Sequence, residues 1–203
     1  MSGAAPVAIQ YWLSTSSPWT WLGSGRFTEL TRRTRAHVEV LPLDLSAVFA
    51  TTGGLPVAQR PAARRSYRLL ELARWSHRLG LPLTIEPKHH PIDREPSSRL
   101  LIGAAAAGGD APALSHAVLR ALWAQDRDIG DWDLLADLAR DCGLDGTALV
   151  ESARAPATRE RYRENTQRAI SAEVFGSPTW VLGGERFWGQ DRLDQLAERL
   201  LGA

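Results

Sequence analysis

Ser16, Ser17 and Pro18 stand where a short strand-like segment, 7–13, meets a segment of helical periodicity that opens near Trp19. This order predicts that Ser17 is the N-cap of the helix and that Pro18 occupies its first position. Backbone N–H groups at a helix start lack intrahelical partners, and with the helix dipole they favour an anion, such as a bound thiolate. The Ser17 hydroxyl can donate one more hydrogen bond to that anion. The same pattern also fits a serine that only caps the helix.

Two further segments with candidate binding residues lie near the C-terminus. Ser177 and Pro178 precede a strand-like segment, where a proline is tolerated and where its peptide bond can be cis. A simple tight turn is the alternative interpretation. In the segment 187–192, Asp191 opens the last predicted helix and Gln190 precedes it. This pair either caps the helix or holds the ammonium or carboxylate group of a ligand.

Other catalytic and metal-binding patterns are weak in this sequence. His89 and His90 lie near Glu86 and Asp93, but their spacing suits neither one helix face nor one strand face, and no cysteine joins them. We therefore expect no metal. No Gly-x-Ser-x-Gly motif indicates a serine hydrolase. Cys142 falls late in a predicted helix among apolar residues, which favours a buried, unreactive thiol.

The composition excludes several broad classes of function. The chain has 203 residues, of which 44% are hydrophobic and 23% charged, so a folded domain with its own core is expected. The formal net charge is +1 and the arginines are scattered, which gives no basic stripe for nucleic acid or an anionic membrane. A single cysteine allows no internal disulfide, and residues 1–6 lack the features of a signal peptide. No apolar run is long enough to span a membrane, so we expect a cytoplasmic protein.

The remaining elements are expected to place these residues in one α/β architecture. A strand at 7–13, a helix from near Trp19 and a strand at 38–43 predict a β-α-β unit with parallel strands. Residues 44–61 are expected to be a loop, because they are rich in glycine and proline. A hairpin with a two-glycine turn and a final helix close the chain. The hairpin strands are 179–182 and 186–188, and helices are predicted for 62–79, 97–107, 111–125, 132–142, 147–153, 157–172 and 191–201.

The segments 17–23, 174–179 and 187–193 form a recognisable set in this order. Together they resemble the 2-hydroxychromene-2-carboxylate isomerases and their relatives, the kappa-class glutathione transferases. The first segment, SPWTWLG, resembles the family's serine-proline motif, which takes the place of the cysteine pair of related disulfide oxidoreductases. The second resembles the family's cis-proline loop, and the third resembles its C-terminal glutathione loop. Segments 159–162 and 67–75 also fit, so the resemblance covers nearly the whole chain.

The resemblance implies an α/β fold of the thioredoxin type, in the order β-α-β … β-β-α, with an inserted all-helical domain. Residues 1–45 and 173–203 would form the thioredoxin-like domain, and residues 46–172 the helical insertion with its connecting loops. The resemblance further implies glutathione as cofactor, a small aromatic substrate and a homodimer. The implied activity is the cis–trans isomerisation of an aromatic pyruvate derivative through a transient glutathione adduct, in aromatic catabolism.

The resemblance also assigns roles to residues at matching positions. Ser17 would stabilise the glutathione thiolate, and the backbone of Ser177, before Pro178, would pair with the tripeptide main chain. Gln190 and Asp191 would hold the γ-glutamyl end. The other implied glutathione contacts are Trp188, Gly189 and Arg64, and the implied substrate contacts are Trp19, Gln59, Arg60 and His89.

The chain departs from the family pattern at two places. Ser14 stands where an acidic residue is usual, and segment 47–54 lacks the lysine or asparagine expected for substrate and glutathione. A kappa-type glutathione transferase or peroxidase, and a non-catalytic binding protein with the same fold, are the alternative functions. Release of a stable conjugate would indicate the transferase, whereas failure to bind glutathione would indicate the binding protein.

Overall fold

A four-stranded mixed sheet forms the centre of the molecule. The computed structural model describes residues 8–202, so the segment 1–6, the predicted strand residue Val7 and residue 203 lie outside the described residues. The strands are β1 (Ala8–Leu13), β2 (His37–Pro42), β3 (Thr179–Leu182) and β4 (Glu185–Trp188), in the order β2-β1-β3-β4. β1 pairs with β2 in parallel and with β3 antiparallel, and β3 pairs with β4 antiparallel. The predicted β-α-β unit and C-terminal hairpin are therefore confirmed.

Most helices begin and end within two residues of their predicted bounds. They are α1 (Pro18–Thr34), α2 (Leu45–Thr52), α3 (Ala62–Leu79), α4 (Glu95–Ala106), α5 (Ala111–Trp123), α6 (Trp132–Asp141), α7 (Gly146–Arg154), α8 (Pro156–Ser171) and α9 (Leu193–Leu201), with short 3-10 helices at Val57–Gln59 and Gln190–Arg192. Asp110, Asp131 and Asp145 cap α5, α6 and α7 by accepting hydrogen bonds from backbone N–H groups of the first turn. Capping aspartates and apolar periodicity explain why these helices were predictable.

The segment 44–61 contains a helix where the sequence predicted a loop. α2 begins after Asp44, whose side chain caps it, and ends at Gly53, which has a φ of +79°. Val48 is fully buried on this helix and packs in the same apolar cluster as Trp12. The prediction was wrong because the glycines and prolines follow the helix and end it, so they do not interrupt it.

The sheet separates two apolar cores. On one face, Tyr11 of β1 and Trp180 of β3 stack with ring centroids 5.8 Å apart, and Phe27 of α1 packs against both rings. Buried side chains of α4, α5 and α9 extend this core. On the other face, Trp12 packs with Val48 and Val174. Because α1 is fixed against the first core, its N-terminus is held at the carboxyl end of β1.

Candidate active site

Ser17 lies at the junction between β1 and α1. It caps α1 with extended backbone angles, φ −88° and ψ 121°, and its Oγ accepts a hydrogen bond from the Thr20 N–H at 3.3 Å. The same hydroxyl donates to the Ser177 carbonyl at 3.3 Å, and Ser17 is only 7% exposed. The predicted N-cap is confirmed. The hydroxyl also joins the first candidate segment to the second.

The start of α1 is suited to an anion. Pro18 has no N–H and the Thr20 N–H is bonded to Ser17, so the Trp19 N–H is left without a partner among residues 8–202. The first turn of α1 contains no acidic residue. The unpaired N–H and the positive end of the helix dipole both favour negative charge. The Ser17 O–H is a second donor, because 3.3 Å is long for an O–H···O bond and the Ser177 carbonyl is readily exchanged for a better acceptor.

Ser177 ties three elements together at this corner of the sheet. The Ser177–Pro178 peptide bond is cis, as the resemblance to the cis-proline loop implied. Ser177 Oγ accepts a hydrogen bond from the Ser14 N–H at 2.7 Å and lies 2.9 Å from Thr20 Oγ1. The side chain therefore fixes the end of β1 and the first turn of α1 against the cis-proline loop. The resemblance implied a role for the Ser177 backbone alone, and the sequence gives no sign of this use of its hydroxyl.

Trp188 and Gly189 bring the C-terminal loop against the cis-proline loop. The Gly189 N–H donates to the Pro178 carbonyl at 2.9 Å, and Gly189 has a φ of +100°, which residues with side chains rarely adopt. Trp188 is 52% exposed and packs edge-to-face on Phe175, with ring centroids 4.8 Å apart. Its indole also covers Gly176 so closely that an added Cβ would collide with the indole nitrogen. The two loops form a continuous rim beside the Ser177–Pro178 bond.

Gln190 and Asp191 occupy different environments. Gln190 is 2% exposed, and both its carbonyl and its Oε1 accept hydrogen bonds from Arg26. Burial lowers the pKa of Arg26, while the neighbouring Asp194 and Asp191 carboxylates oppose that shift. Asp191 is exposed and pairs with Arg192 at 3.0 Å. Of the two residues assigned to the γ-glutamyl end, Asp191 has the more accessible side chain.

A group of positive charges, which we call the cationic row, consists of Arg60 before α3 and of Arg64 and Arg68 in its first turns. Gln59 and Arg64 are exposed, and Arg60 donates to a backbone carbonyl at 2.8 Å. No hydrogen bond joins these three residues to the serine site in the described part of the chain. Burial lowers the pKa of Arg68, and the positive charge of Arg60 lowers it further. Neither arginine forms an ion pair within residues 8–202. Sequence reasoning missed Arg68, which extends the row by one turn.

His90 lies near Arg68 and Arg94. His90 packs against Trp123 with ring centroids 5.2 Å apart. Burial lowers its pKa, and the nearby Arg68 and Arg94 lower it further. His89 is half-buried and has no hydrogen bond of its side chain among the described residues. The assignment of His89 as a substrate contact stays a prediction, and His90 is a further candidate in the same loop.

Several general features bear on the chemistry. Within residues 8–202, no group of three or more His, Cys, Asp or Glu side chains is arranged to hold a metal ion. No helix in that range has the length and apolar character needed to cross a membrane. Cys142 follows the end of α6 and is half-buried, so the prediction of a buried thiol was wrong. Burial, with the Asp110 and Asp141 carboxylates, raises the pKa of the thiol, so it is held protonated.

The same architecture occurs in known proteins. A family profile described as a DSBA-like thioredoxin domain matches residues 8–201. The chain belongs to the DsbA-like thioredoxin family. A curated family relative, the 2-hydroxychromene-2-carboxylate isomerase of Sphingobium xenophagum, is 30% identical over 195 residues, which cover 95% of this chain and 97% of the relative. A solved structure of a 2-hydroxychromene-2-carboxylate isomerase has a TM-score of 0.80 at 27% identity and covers 96% of this chain and 94% of that chain.

A second kind of relative of this DsbA-like chain is a glutathione transferase. Glutathione S-transferase kappa 1 of Rattus norvegicus is 24% identical over 212 residues, which cover 96% of this chain and 91% of the relative. The predicted resemblance to the 2-hydroxychromene-2-carboxylate isomerases is thus confirmed, and so is the predicted thioredoxin-like fold. The two kinds of relative support an enzyme of the isomerase or glutathione-transferase type.

Proposed function

We propose that this DsbA-like chain is a glutathione-dependent isomerase of the 2-hydroxychromene-2-carboxylate isomerase type. The proposal rests on the position of Ser17, whose hydroxyl lies at the start of α1 and contacts the cis-proline loop. A serine at this position cannot form a mixed disulfide, but it can donate a hydrogen bond to a thiolate. The relatives that match over most of the chain and carry the isomerase name support this choice.

The donors and acceptors at the site fit glutathione. The Ser17 O–H and the Trp19 N–H are available to a thiolate, and no acidic side chain in the first turn of α1 opposes its charge. The Ser177 carbonyl would accept a backbone N–H of the tripeptide. The exposed Asp191 carboxylate would hold the γ-glutamyl ammonium, with Trp188 and Gly189 forming the rim between.

Each group of residues would contribute one part of the reaction. When bound, glutathione supplies a nucleophilic thiolate that adds reversibly to an electrophilic carbon of the substrate. Ser17 would keep the thiol ionised near neutral pH, because a hydrogen bond to the charged form lowers a pKa. The cationic row, which includes Arg60 and Arg68 and lies near His90, would attract an aromatic carboxylate toward the site.

A kappa-type glutathione transferase is the second candidate function. The rat kappa 1 relative favours it, because it matches over most of the chain. Both functions require the same bound thiolate, so Ser17 does not separate them. The fate of the glutathione does: an isomerase returns it unchanged, whereas a transferase releases it bonded to the substrate.

The test follows the substrate and the cofactor in one reaction. The purified chain is incubated with 2-hydroxychromene-2-carboxylate, with and without glutathione, and the products are separated by mass and retention. We expect an isomer of unchanged mass, formed only with glutathione, which is not consumed. S-methylglutathione, which lacks a free thiol, should support no turnover. A stable conjugate in place of the isomer would favour the transferase, and absence of glutathione binding in calorimetry would refute both functions.

A further inference from the structure

Thr15 belongs to the turn that carries Ser17, but its side chain enters the helical part of the molecule. We call residues 14–17 the catalytic turn. Thr15 Oγ1 lies 2.8 Å from Ser97 Oγ in the first turn of α4, and both residues are completely buried. Ser98 Oγ and the Arg94 carbonyl lie at 3.5 Å from the same Thr15 hydroxyl. The catalytic turn is therefore joined to α4 by a hydroxyl contact that solvent does not reach.

The Arg94 carbonyl is a second partner of both hydroxyls. It can only accept, and it lies 3.1 Å from Ser97 Oγ and 3.5 Å from Thr15 Oγ1. One hydroxyl can therefore donate to this carbonyl while the other donates across the short contact, so both protons are used. A buried hydroxyl without a partner is costly, and an apolar side chain could fill the same volume without needing one. The hydroxyl at this position therefore adds a directed bond that packing alone would not supply.

The catalytic turn is held from two sides. On one side, the Ser14 N–H donates to Ser177 Oγ at 2.7 Å in the cis-proline loop. On the other side, Thr15 is bonded to Ser97. Inside the turn, the Ser17 N–H donates to the Ser14 carbonyl at 3.1 Å. The turn lies between β1 and α1, so these contacts fix its backbone, while Ser17 Oγ itself contacts the Thr20 N–H and the Ser177 carbonyl.

We propose that Thr15 is a positioning residue, which through its hydrogen bond to Ser97 locks the catalytic turn to α4 and aims the Ser17 hydroxyl at the bound thiolate. Thr15 itself touches no ligand, because it is fully buried. The helical insertion thereby takes part in thiolate stabilisation through Ser97. This inference rests on the proposed function, since it concerns the thiolate that Ser17 would hold.

The test measures the pKa of the glutathione thiol bound to the protein, from thiolate absorbance against pH. Thr15→Val keeps the shape of the side chain and removes the hydroxyl. We expect the pKa of the bound glutathione thiol to rise by about 0.5 unit, because a less well oriented Ser17 hydroxyl loses part of its hydrogen bond to the thiolate. At pH values below the pKa of the bound thiol the rate should fall about threefold, and well above that pKa it should converge with the wild-type rate. Thr15→Ser, which keeps the hydroxyl, should restore the wild-type pKa.

A second variant approaches the same bond from α4. Ser97→Ala should raise the bound pKa in the same direction, and it keeps the test decisive if Thr15→Val fails to fold. The double variant should show no further rise, because both substitutions remove one bond. Thr31→Val is the matched control: this threonine is buried in α1 at 8% exposure, and its hydroxyl donates to the Thr28 carbonyl at 3.0 Å, far along the helix from Ser17. It should leave the bound pKa unchanged.

Three results would overturn the inference. If the wild type lowers the thiol pKa but Thr15→Val and Ser97→Ala leave it as it is, the positioning role is wrong and the proposed function stands. If Thr15→Ser raises the pKa as much as Thr15→Val, side-chain shape and not the hydroxyl is responsible. If the wild type itself does not lower the thiol pKa, the inference and the proposed function fail together.

Discussion

The Ser17 hydroxyl carries one proton, which it donates in a long hydrogen bond to the Ser177 carbonyl. An anion at the start of α1 would redirect that proton toward itself. The Ser177 carbonyl would then be free to accept a backbone N–H of the same ligand. Both changes depend on one 3.3 Å contact, so a thiol peptide would gain a donor and an acceptor together. An anion without a peptide backbone would gain only the donor.

Substitution of Asp191 is the most direct single-residue test of the proposed glutathione contacts. Asp191→Asn should weaken glutathione binding about tenfold, because a hydrogen bond to a charged group contributes roughly 1.5 kcal/mol at an exposed position. Isothermal titration calorimetry measures the change. Asp194→Asn is the control, since Asp194 is also exposed and also acts on Arg26. Equal affinities for wild type and Asp191→Asn would remove Asp191 from the binding site.

Individual residues were predictable where each stands at the end of an element. Ser17 was placed as the N-cap of α1, and Pro178 was placed just before β3, because strand and helix patterns mark those points. The bonds between side chains were not predictable. Ser177 Oγ and the Ser14 N–H are 163 positions apart, and Thr15 and Ser97 are 82 apart. Nothing in the local pattern of either partner signals such a pairing.

Among the elements of residues 8–202, eight α-helices were predicted and α2, the shortest α-helix, was missed. A helix such as α3 presents several turns of apolar periodicity, and its bounds Ala62–Leu79 agree with the prediction. α2 has eight residues and buries only Val48. A single buried position gives no helical periodicity, and the glycines and prolines that follow α2 are typical of a loop. The sequence therefore predicted a loop in place of the helix. The loop that carries Gln59 and Arg60 therefore begins later than predicted, after Thr52.

The junction of α6 and α7 provides a stability test of the helical part. Gly146 is buried at the start of α7, and an added Cβ would collide with the Ala136 carbonyl of α6. A backbone atom cannot rotate away, so Gly146→Ala should lower the free energy of unfolding by about 1–3 kcal/mol. The measurement is urea unfolding followed by circular dichroism.

A second buried glycine serves as the control for that substitution. At Gly103, inside α4, the nearest atom to an added Cβ is 3.4 Å away. Gly103→Ala should leave stability unchanged or raise it by up to about 1 kcal/mol, because alanine favours a helix interior. Equal losses in the two variants would show that the close approach of α6 and α7 is not the cause.

At the scale of the whole molecule, the sheet brings the two ends of the chain to one site. β1 pairs antiparallel with β3, so Trp12 lies opposite Thr179, and Ser17 and Ser177 meet just beyond the paired residues. This arrangement was predictable from the order of the three motifs, because they follow the order of a known fold. The contribution of the helical insertion was not, since it depends on tertiary contacts such as those of Ser97 and His90.

The central claim is that the start of α1 and the Ser17 hydroxyl stabilise a glutathione thiolate. Its direct test is the absorbance of the thiolate against pH, with glutathione bound to the wild type and to Ser17→Ala. The wild type should lower the thiol pKa below that of free glutathione, and the variant should raise it again by about one to two units, the equivalent of one charge-assisted hydrogen bond. The fold should lose only a helix cap, about 1 kcal/mol. Coincident titration curves for the two proteins would contradict the account and leave Ser17 as a helix cap alone.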